Sequence, residues 1–276
     1  MRAALLQMTS GEDPVVNLAV TRDMIREAAA GGAGFVLTPE VTNCLSGNRA
    51  HKMAVLRAEA EDPTLAVLRT EAAALGIWLS IGSLALKTGE ADGRFANRSF
   101  LIDPNGGIAA KYDKIHMFDV TVSETETYRE SAAYRPGDRA VVYETPFAKL
   151  GLTICYDVRF AYLHRALAQA GAEVLLVPAA FSSVTGVAHW EPLLRARAIE
   201  TGTYVLAAAQ TGVHYVADGM ERRTHGHSMA ISPWGEVLCD AGTESGISYV
   251  DFDAAEVEKA RGRIPALTHD RHFERP

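Results

Sequence analysis

Cys155 closes the apolar run Gly151-Leu152-Thr153-Ile154, and a helical pattern starts a few residues later, past Tyr156-Asp157-Val158-Arg159-Phe160. A cysteine on a sharp strand-to-helix turn has the geometry of a nucleophile, with backbone N–H groups at hand for an oxyanion. The helix N-terminus and a nearby lysine are expected to lower its thiol pKa. A buried structural cysteine fits the same segment. Glu40 follows another apolar run in Leu37-Thr38-Pro39-Glu40. The proline fixes the backbone there, and burial at a strand end is expected to raise the carboxyl toward neutrality, as suits a general base. Taken alone, Glu40 also reads as a solvated loop residue or a helix N-cap neighbour. Lys114 sits in Lys111-Tyr112-Asp113-Lys114-Ile115-His116. Held among apolar residues it is a point charge for a developing oxyanion; otherwise it is a solvated lysine after a hairpin strand. His116 reads as a histidine hydrogen-bonded within the fold rather than as a base. Cys44 and Cys239 lack a comparable setting and read as structural.

These residues need strands that end at one place. The apolar runs Ala3–Leu6, 34–37, 77–86, 98–102 and 108–112 read as strands, the last two joined through Asp103-Pro104-Asn105-Gly106-Gly107 as a hairpin. Residues 15–30, running into Gly31-Gly32, and residues 65–75 read as helices. The second half reads as strand 150–154, helix 162–170, strand 174–177, helix 190–200 and strand 204–209. A hairpin of 227–232 and 236–239 follows, around Pro233-Trp234-Gly235. Helices alternating with strands and hairpins predict an α/β fold with a mixed sheet covered by helices, and a site on the loops beyond the strand ends.

Composition narrows the function classes. The 276 residues are 48% hydrophobic and 22% charged, ordinary globular values, and no repeat or linker divides them, so residues 1–276 read as a single domain. A net charge of -7 with scattered Lys and Arg gives no support for a nucleic-acid surface. No window approaches the apolar length of a membrane span, and the apolar start breaks at Gln7, unlike a signal peptide. Three widely spaced cysteines suggest neither a disulfide framework nor a zinc site, and the cytoplasm is the expected compartment. Nine histidines show no metal spacing, and no metal or organic cofactor is expected.

Taken together, Thr38-Pro39-Glu40, Tyr112-Asp113-Lys114-Ile115-His116 and Ile154-Cys155-Tyr156-Asp157-Val158-Arg159-Phe160 resemble, in that order, the nitrilase superfamily of carbon–nitrogen hydrolases. Asn97-Arg98-Ser99-Phe100 and Asp103-Pro104-Asn105-Gly106 match the segment that family places before its lysine, and the likeness runs from Gln7 to Phe273. The resemblance implies a four-layer αββα sandwich, mixed sheets covered by helices, whose subunits pair to extend the layers as a homodimer or larger homo-oligomer. It makes Glu40 the general base and acid, Lys114 the oxyanion stabiliser and Cys155 the nucleophile, with the backbone N–H of Tyr156 as second oxyanion donor. Glu130, in Arg129-Glu130-Ser131, matches the second glutamate, which helps position substrate and lysine.

Phe181-Ser182-Ser183-Val184-Thr185-Gly186 through Glu191, with Leu194-Arg195-Ala196-Arg197-Ala198-Ile199-Glu200, looks like the branch that includes deaminated glutathione amidase; ω-amidases share part of it. There the matches to Arg159, Phe181 and Thr185 surround the substrate carboxylate, a role that suits a guanidinium fork. An ion pair of Arg159 with Asp157 or Glu191 is the structural alternative. The implied activity is cysteine-dependent hydrolysis of a small carboxylated amide through a thioester, releasing ammonia. ω-Amidase action on 2-oxoglutaramate and hydrolysis of N-carbamoyl amino acids are the enzymatic alternatives, and a silent scaffold or a thiol sensor pairing Cys155 with Cys44 the others. Two departures, Ala161-Tyr162 where Pro-Glu is frequent and Val187 where proline is usual, leave the pocket's shape open.

Overall fold

The computed structural model describes residues 1–122, 124, 126–215 and 221–274, with Tyr215 described by its backbone. Two six-stranded mixed sheets form the centre rather than the one sheet that the strand pattern predicts. The first runs, edge to edge, Gly246–Asp251, Arg2–Gln7, Phe35–Leu37, Trp78–Lys87, Phe95–Ile102 and Ile108–Asp113. The second runs Val237–Asp240, Met229–Ile231, Tyr204–Ala207, Val174–Leu176, Lys149–Leu152 and Val141–Glu144. In each, three parallel strands lie inside and antiparallel strands flank them. The second sheet repeats the first in reverse order.

Strand alternation decides which residues separate the layers. Ala3, Leu5, Phe35 and Leu37 share one apolar core with Leu150, Leu152, Val174 and Leu176 of the other sheet. Their neighbours Ala4, Leu6, Val36 and Leu79 pack instead against Ile25, Ala28, Leu65, Leu68 and Ala72 of the helices Pro14–Ala30 and Pro63–Leu75. Both helices start at a proline behind an aspartate cap: Asp13 accepts from the Val15 N–H and Asp62 from the Leu65 N–H, each at 2.8 Å. On the far side, Leu163 and Leu167 of helix Ala161–Gln169 and Trp190, Leu194 and Ala198 of helix Ser183–Thr201 cover the second sheet. The layers therefore run helix, sheet, sheet, helix.

Helix Ser183–Thr201 begins seven residues before its expected start, behind a Ser182 cap. Gly186 makes this possible, because a Cβ there would lie 2.2 Å from the His225 ring. Strands Val141–Glu144 and Gly246–Asp251 and helices Arg49–Val55 and Ala255–Arg263 were not evident from periodicity; edge strands and short helices carry weak apolar patterns. Among the described residues no helix is long and apolar enough to cross a membrane, and no cluster of His, Cys, Asp or Glu is placed to hold a metal ion.

Candidate active site

Two strained turns bring the chemistry together. The first follows strand Phe35–Leu37. Gly82 lies so close to it that a Cβ would stand 2.0 Å from the Thr38 carbonyl oxygen and 2.6 Å from that of Pro39. The strand carrying Gly82 shifts register between Ile81 and Leu84, and Ser83 there binds the Val41 N–H through its hydroxyl (2.8 Å) and the Thr42 N–H through its carbonyl (2.9 Å). Val41 is held at φ 48°, an uncommon conformation for a β-branched residue. The clamp fixes Glu40, which is 4% exposed.

The second turn follows strand Lys149–Leu152. Cys155 takes φ 50° and opens a short 3₁₀ turn, Cys155–Arg159, its N–H held by the Pro178 carbonyl at 2.8 Å. Positive φ at a non-glycine residue is strained, and it puts Cys155 on a sharp turn between strand and helix. As the second residue of that turn, Tyr156 presents an N–H with no partner inside the turn.

Asp157 latches this turn to the lysine segment. Its buried carboxylate accepts from Tyr112 Oη (2.6 Å), Ile154 N–H (2.9 Å), His116 N–H (3.0 Å) and His116 Nδ1 (2.7 Å). His116 is stacked on Phe160 at 3.5 Å between ring centroids. Asp157→Ala leaves these donors unpaired and is expected to destabilise the protein by about 3–5 kcal/mol. It should also lower kcat at least about 100-fold by releasing Cys155 from Lys114; urea unfolding and steady-state kinetics measure the two effects.

Lys114, 2% exposed, is the hub. Its Nζ lies 2.8 Å from Glu40 Oε1 and 2.9 Å from each Glu130 oxygen. The remaining Glu40 oxygen accepts from the Ala180 N–H at 2.8 Å, and Glu130 Oε2 from the Phe118 N–H at 2.6 Å. Asn97 Nδ2 bridges the two glutamates, at 2.9 Å from Glu40 and 3.4 Å from Glu130. Gln210 Nε2 holds the Glu40 backbone carbonyl at 3.0 Å. Asn97 thus keeps both carboxylates in place, and Gln210 the backbone that carries Glu40.

Two electrostatic expectations are reversed. Burial raises the Glu40 carboxyl, but the Lys114 charge and hydrogen bond, the Cys155 thiol and the Ala180 N–H outweigh it, so Glu40 is held below its ordinary value and rests ionised. Cys155 goes the other way: burial and the Glu40 charge push the thiol well up, against the opposing pull of Lys114. Burial opposes the Lys114 ammonium, yet Glu130 and Glu40 raise it well above the ordinary value. The resting state is a neutral thiol that feels a carboxylate and an ammonium.

A cavity of about 240 Å³ opens onto Glu40, Lys114, Glu130 and Cys155, with Tyr156, Phe181 and Thr185 on its wall. Arg159 is not on that wall. Both Nη atoms lie 3.3 Å from His189 Nδ1, and its guanidinium stands 5.4 Å from the Phe181 ring centroid and 5.8 Å from that of Tyr156. The alternative ion pairs for Arg159 are not formed: Asp157 is engaged as above and Glu191 meets Arg195. Cys44 lies on the wall, buried, its thiol pushed up to about 12 by burial.

Known proteins share this arrangement of sequence and fold. The family described as carbon–nitrogen hydrolase matches residues 2–262. A Yersinia enterocolitica protein named deaminated glutathione amidase is 40% identical over 269 residues, covering 97% of this chain and 92% of that one. Human omega-amidase NIT2 is 37% identical over 273 residues, covering 98% and 95%. The crystal structure of the C. elegans NitFhit protein superposes with a TM-score of 0.89 at 34% identity, covering 98% of this chain and 65% of that longer one.

Proposed function

We propose, because the chain belongs to the carbon–nitrogen hydrolase family of the nitrilase superfamily, that it hydrolyses a small carboxylated amide through a thioester on Cys155, and that its substrate is deaminated glutathione. The observation that carries the chemistry is the buried triad of side chains on one cavity: the Cys155 thiol, the Glu40 carboxylate and, 2.8 Å from that carboxylate, the Lys114 ammonium. Such a thiol attacks only as its proton leaves, and Glu40 is the acceptor in reach. Sulfur adds to the amide carbonyl, the proton passes to Glu40, and the oxyanion is taken by the Lys114 ammonium and the Tyr156 N–H. Donors of this kind are each worth about 3–4 kcal/mol. Glu40 returns the proton to the leaving nitrogen as the C–N bond breaks. It then deprotonates water, which releases the acid, and the proton goes back to sulfur.

The leaving group depends on the amide. A primary amide releases ammonia, as the sequence led us to expect, whereas deaminated glutathione, an amide of 2-oxoglutarate with cysteinylglycine, releases the dipeptide. Relatives named for this substrate support the reading. Phe181 and Thr185 on the cavity wall fit substrate contacts. Arg159 is absent from that wall and lies 3.3 Å from His189 Nδ1. The homodimer or larger assembly is part of the same proposal, and sedimentation velocity measures it.

2-Oxoglutarate formation from deaminated glutathione and from 2-oxoglutaramate tests the assignment, with Cys155→Ala as control. Deaminated glutathione should be turned over at least about tenfold faster than simple aliphatic amides, through better ground-state and transition-state binding of its carboxylate. Equal rates would remove it as the substrate. Faster turnover of 2-oxoglutaramate would select the ω-amidase alternative, and turnover of N-carbamoyl amino acids alone the carbamoyl one.

A further inference from the structure

Among the described residues, six charged side chains line the cavity: the carboxylates of Glu40 and Glu130, and the basic groups of Lys52, Lys114, Arg129 and Arg222. In a chain of net charge -7 this is a locally positive pocket. Lys114 is spent on the two glutamates. Arg129 is exposed and donates to the carbonyls of Val120 and Tyr128. Lys52 and Arg222 remain, and neither has a carboxylate within ion-pair distance among the described residues.

Lys52 is 3% exposed, on the short helix Arg49–Val55. Its ammonium donates no hydrogen bond to a described residue and rests over aromatic rings, 4.7 Å from the Tyr134 centroid and 5.3 Å from that of Phe95. Cation–π contact recovers only a fraction of an ammonium's lost hydration. Burial weakens its hold on the proton; Cys44 opposes that, and Arg222 adds to it, so the two cations feel one another. Arg222 stands 5.7 Å from the Tyr128 ring centroid and spends one Nη on the Ala180 carbonyl at 3.1 Å, while its buried Nε has no partner. The Thr185 hydroxyl, on the same wall, is also buried without a partner. A buried ammonium, a guanidinium Nε–H and a hydroxyl, all unpaired on one cavity, are the complement of an anion with several acceptor oxygens.

We propose that Lys52 and Arg222, with Thr185, form the seat for the substrate's carboxylate, so that the enzyme takes ω-amides of short dicarboxylic acids. The amide end lies at Cys155 and the acid end between the two cations. This rests on the amidase reading above and moves the carboxylate contact from Arg159 to two residues that no motif marked. A bound carboxylate supplies the missing partners and relieves the repulsion between Lys52 and Arg222.

Glutaramate and pentanamide, equal in carbon count and differing by carboxylate against methyl, make the test. The ratio of their kcat/KM values is expected to fall about tenfold or more in Lys52→Met and in Arg222→Met, through KM for glutaramate, with part of the ratio restored in Arg222→Lys. Arg159→Met should change it by less than about threefold. Methionine keeps the apolar stem of Lys52 over its rings, and circular dichroism with thermal unfolding checks each variant's fold. Equal proportional losses on both amides, or a ratio set by Arg159 instead, overturns the seat. Calorimetric titration with glutarate separates this outcome from failure of the amidase reading. Glutarate binding that weakens about tenfold or more in both methionine variants upholds the seat even if neither amide is hydrolysed. Amide hydrolysis with glutarate affinity unmoved overturns the seat and leaves the amidase reading intact.

Discussion

Glu40→Gln should lower kcat/KM by at least about 10³-fold while making Cys155 easier to alkylate at neutral pH. The two effects separate the roles of the carboxylate. In the mechanism we propose, Glu40 takes the thiol proton, gives it to the leaving nitrogen and later activates water, and glutamine does none of these. In the resting protein the Glu40 charge is, after burial, the main influence pushing the Cys155 thiol up, with Lys114 pulling it down. Neutral glutamine removes the upward influence and leaves the downward one, so the thiol ionises at lower pH than in the wild type. Iodoacetamide labelling followed by intact mass against pH reads this directly. A midpoint that stays in place or rises would mean that Glu40 does not accept the thiol proton. Wild-type kcat/KM should be flat through neutral pH, because Glu40, held below its ordinary value, protonates only under acid conditions. Activity should fall only below about pH 4.5, the ordinary carboxylate range.

The three residues to which we assign the chemistry were legible because each ends an apolar strand, and strand ends in an α/β fold converge. Glu40 follows Phe35–Leu37, Cys155 follows Lys149–Leu152, and Lys114 follows Ile108–Asp113. Glu130 has no such mark: it lies in the 3₁₀ turn Glu130–Ala132, and only resemblance to a family pointed to it. The pKa directions at Glu40 and Cys155 were not legible, since they are differences between burial and neighbouring charges that sequence supplies in kind but not in distance. Lys52 carries no mark in Arg49-Ala50-His51-Lys52, and the rings its ammonium rests over, Phe95 and Tyr134, lie far along the chain. Arg222 was hidden in Glu221-Arg222-Arg223. Strand alternation was the available signal: along Glu221–His225, Glu221 and Arg223 are exposed, whereas Arg222 is partly buried and Thr224 buried. The second sheet was implied by the family resemblance and not by the strand pattern, since periodicity finds strands without saying which sheet they join.

Lys114→Met is expected to cost more than any other single substitution at the site, at least about 10⁴-fold in kcat/KM. Part of the loss is the oxyanion partner. The rest comes from what the ammonium does to its neighbours, since Lys114 is the counter-charge for two carboxylates joined through Asn97. Without it, burial raises Glu40 unopposed by its main lowering influence. Glu40 would then hold a proton at neutral pH and fail as a base. Activity should recover in part as pH rises and Glu40 ionises again, whereas the wild type shows no such rise. Stability should move in the opposite sense. In the wild type the lowered Glu40 favours the fold above its ordinary pKa, and that contribution is lost as pH falls. In the variant a raised Glu40 favours the fold at acid pH, and the contribution is lost as pH climbs through the raised value. Breaking a buried ion pair from one side typically costs about 3–5 kcal/mol. Urea unfolding should therefore show the difference between the two proteins widening from pH 5 to pH 8. Arginine at position 114 should not rescue turnover, because its planar fork is larger than the ammonium and cannot place one nitrogen among both glutamates and the oxyanion. Constant destabilisation across that pH range, or full activity in Lys114→Arg, would show that Lys114 is not the counter-charge holding Glu40 ionised.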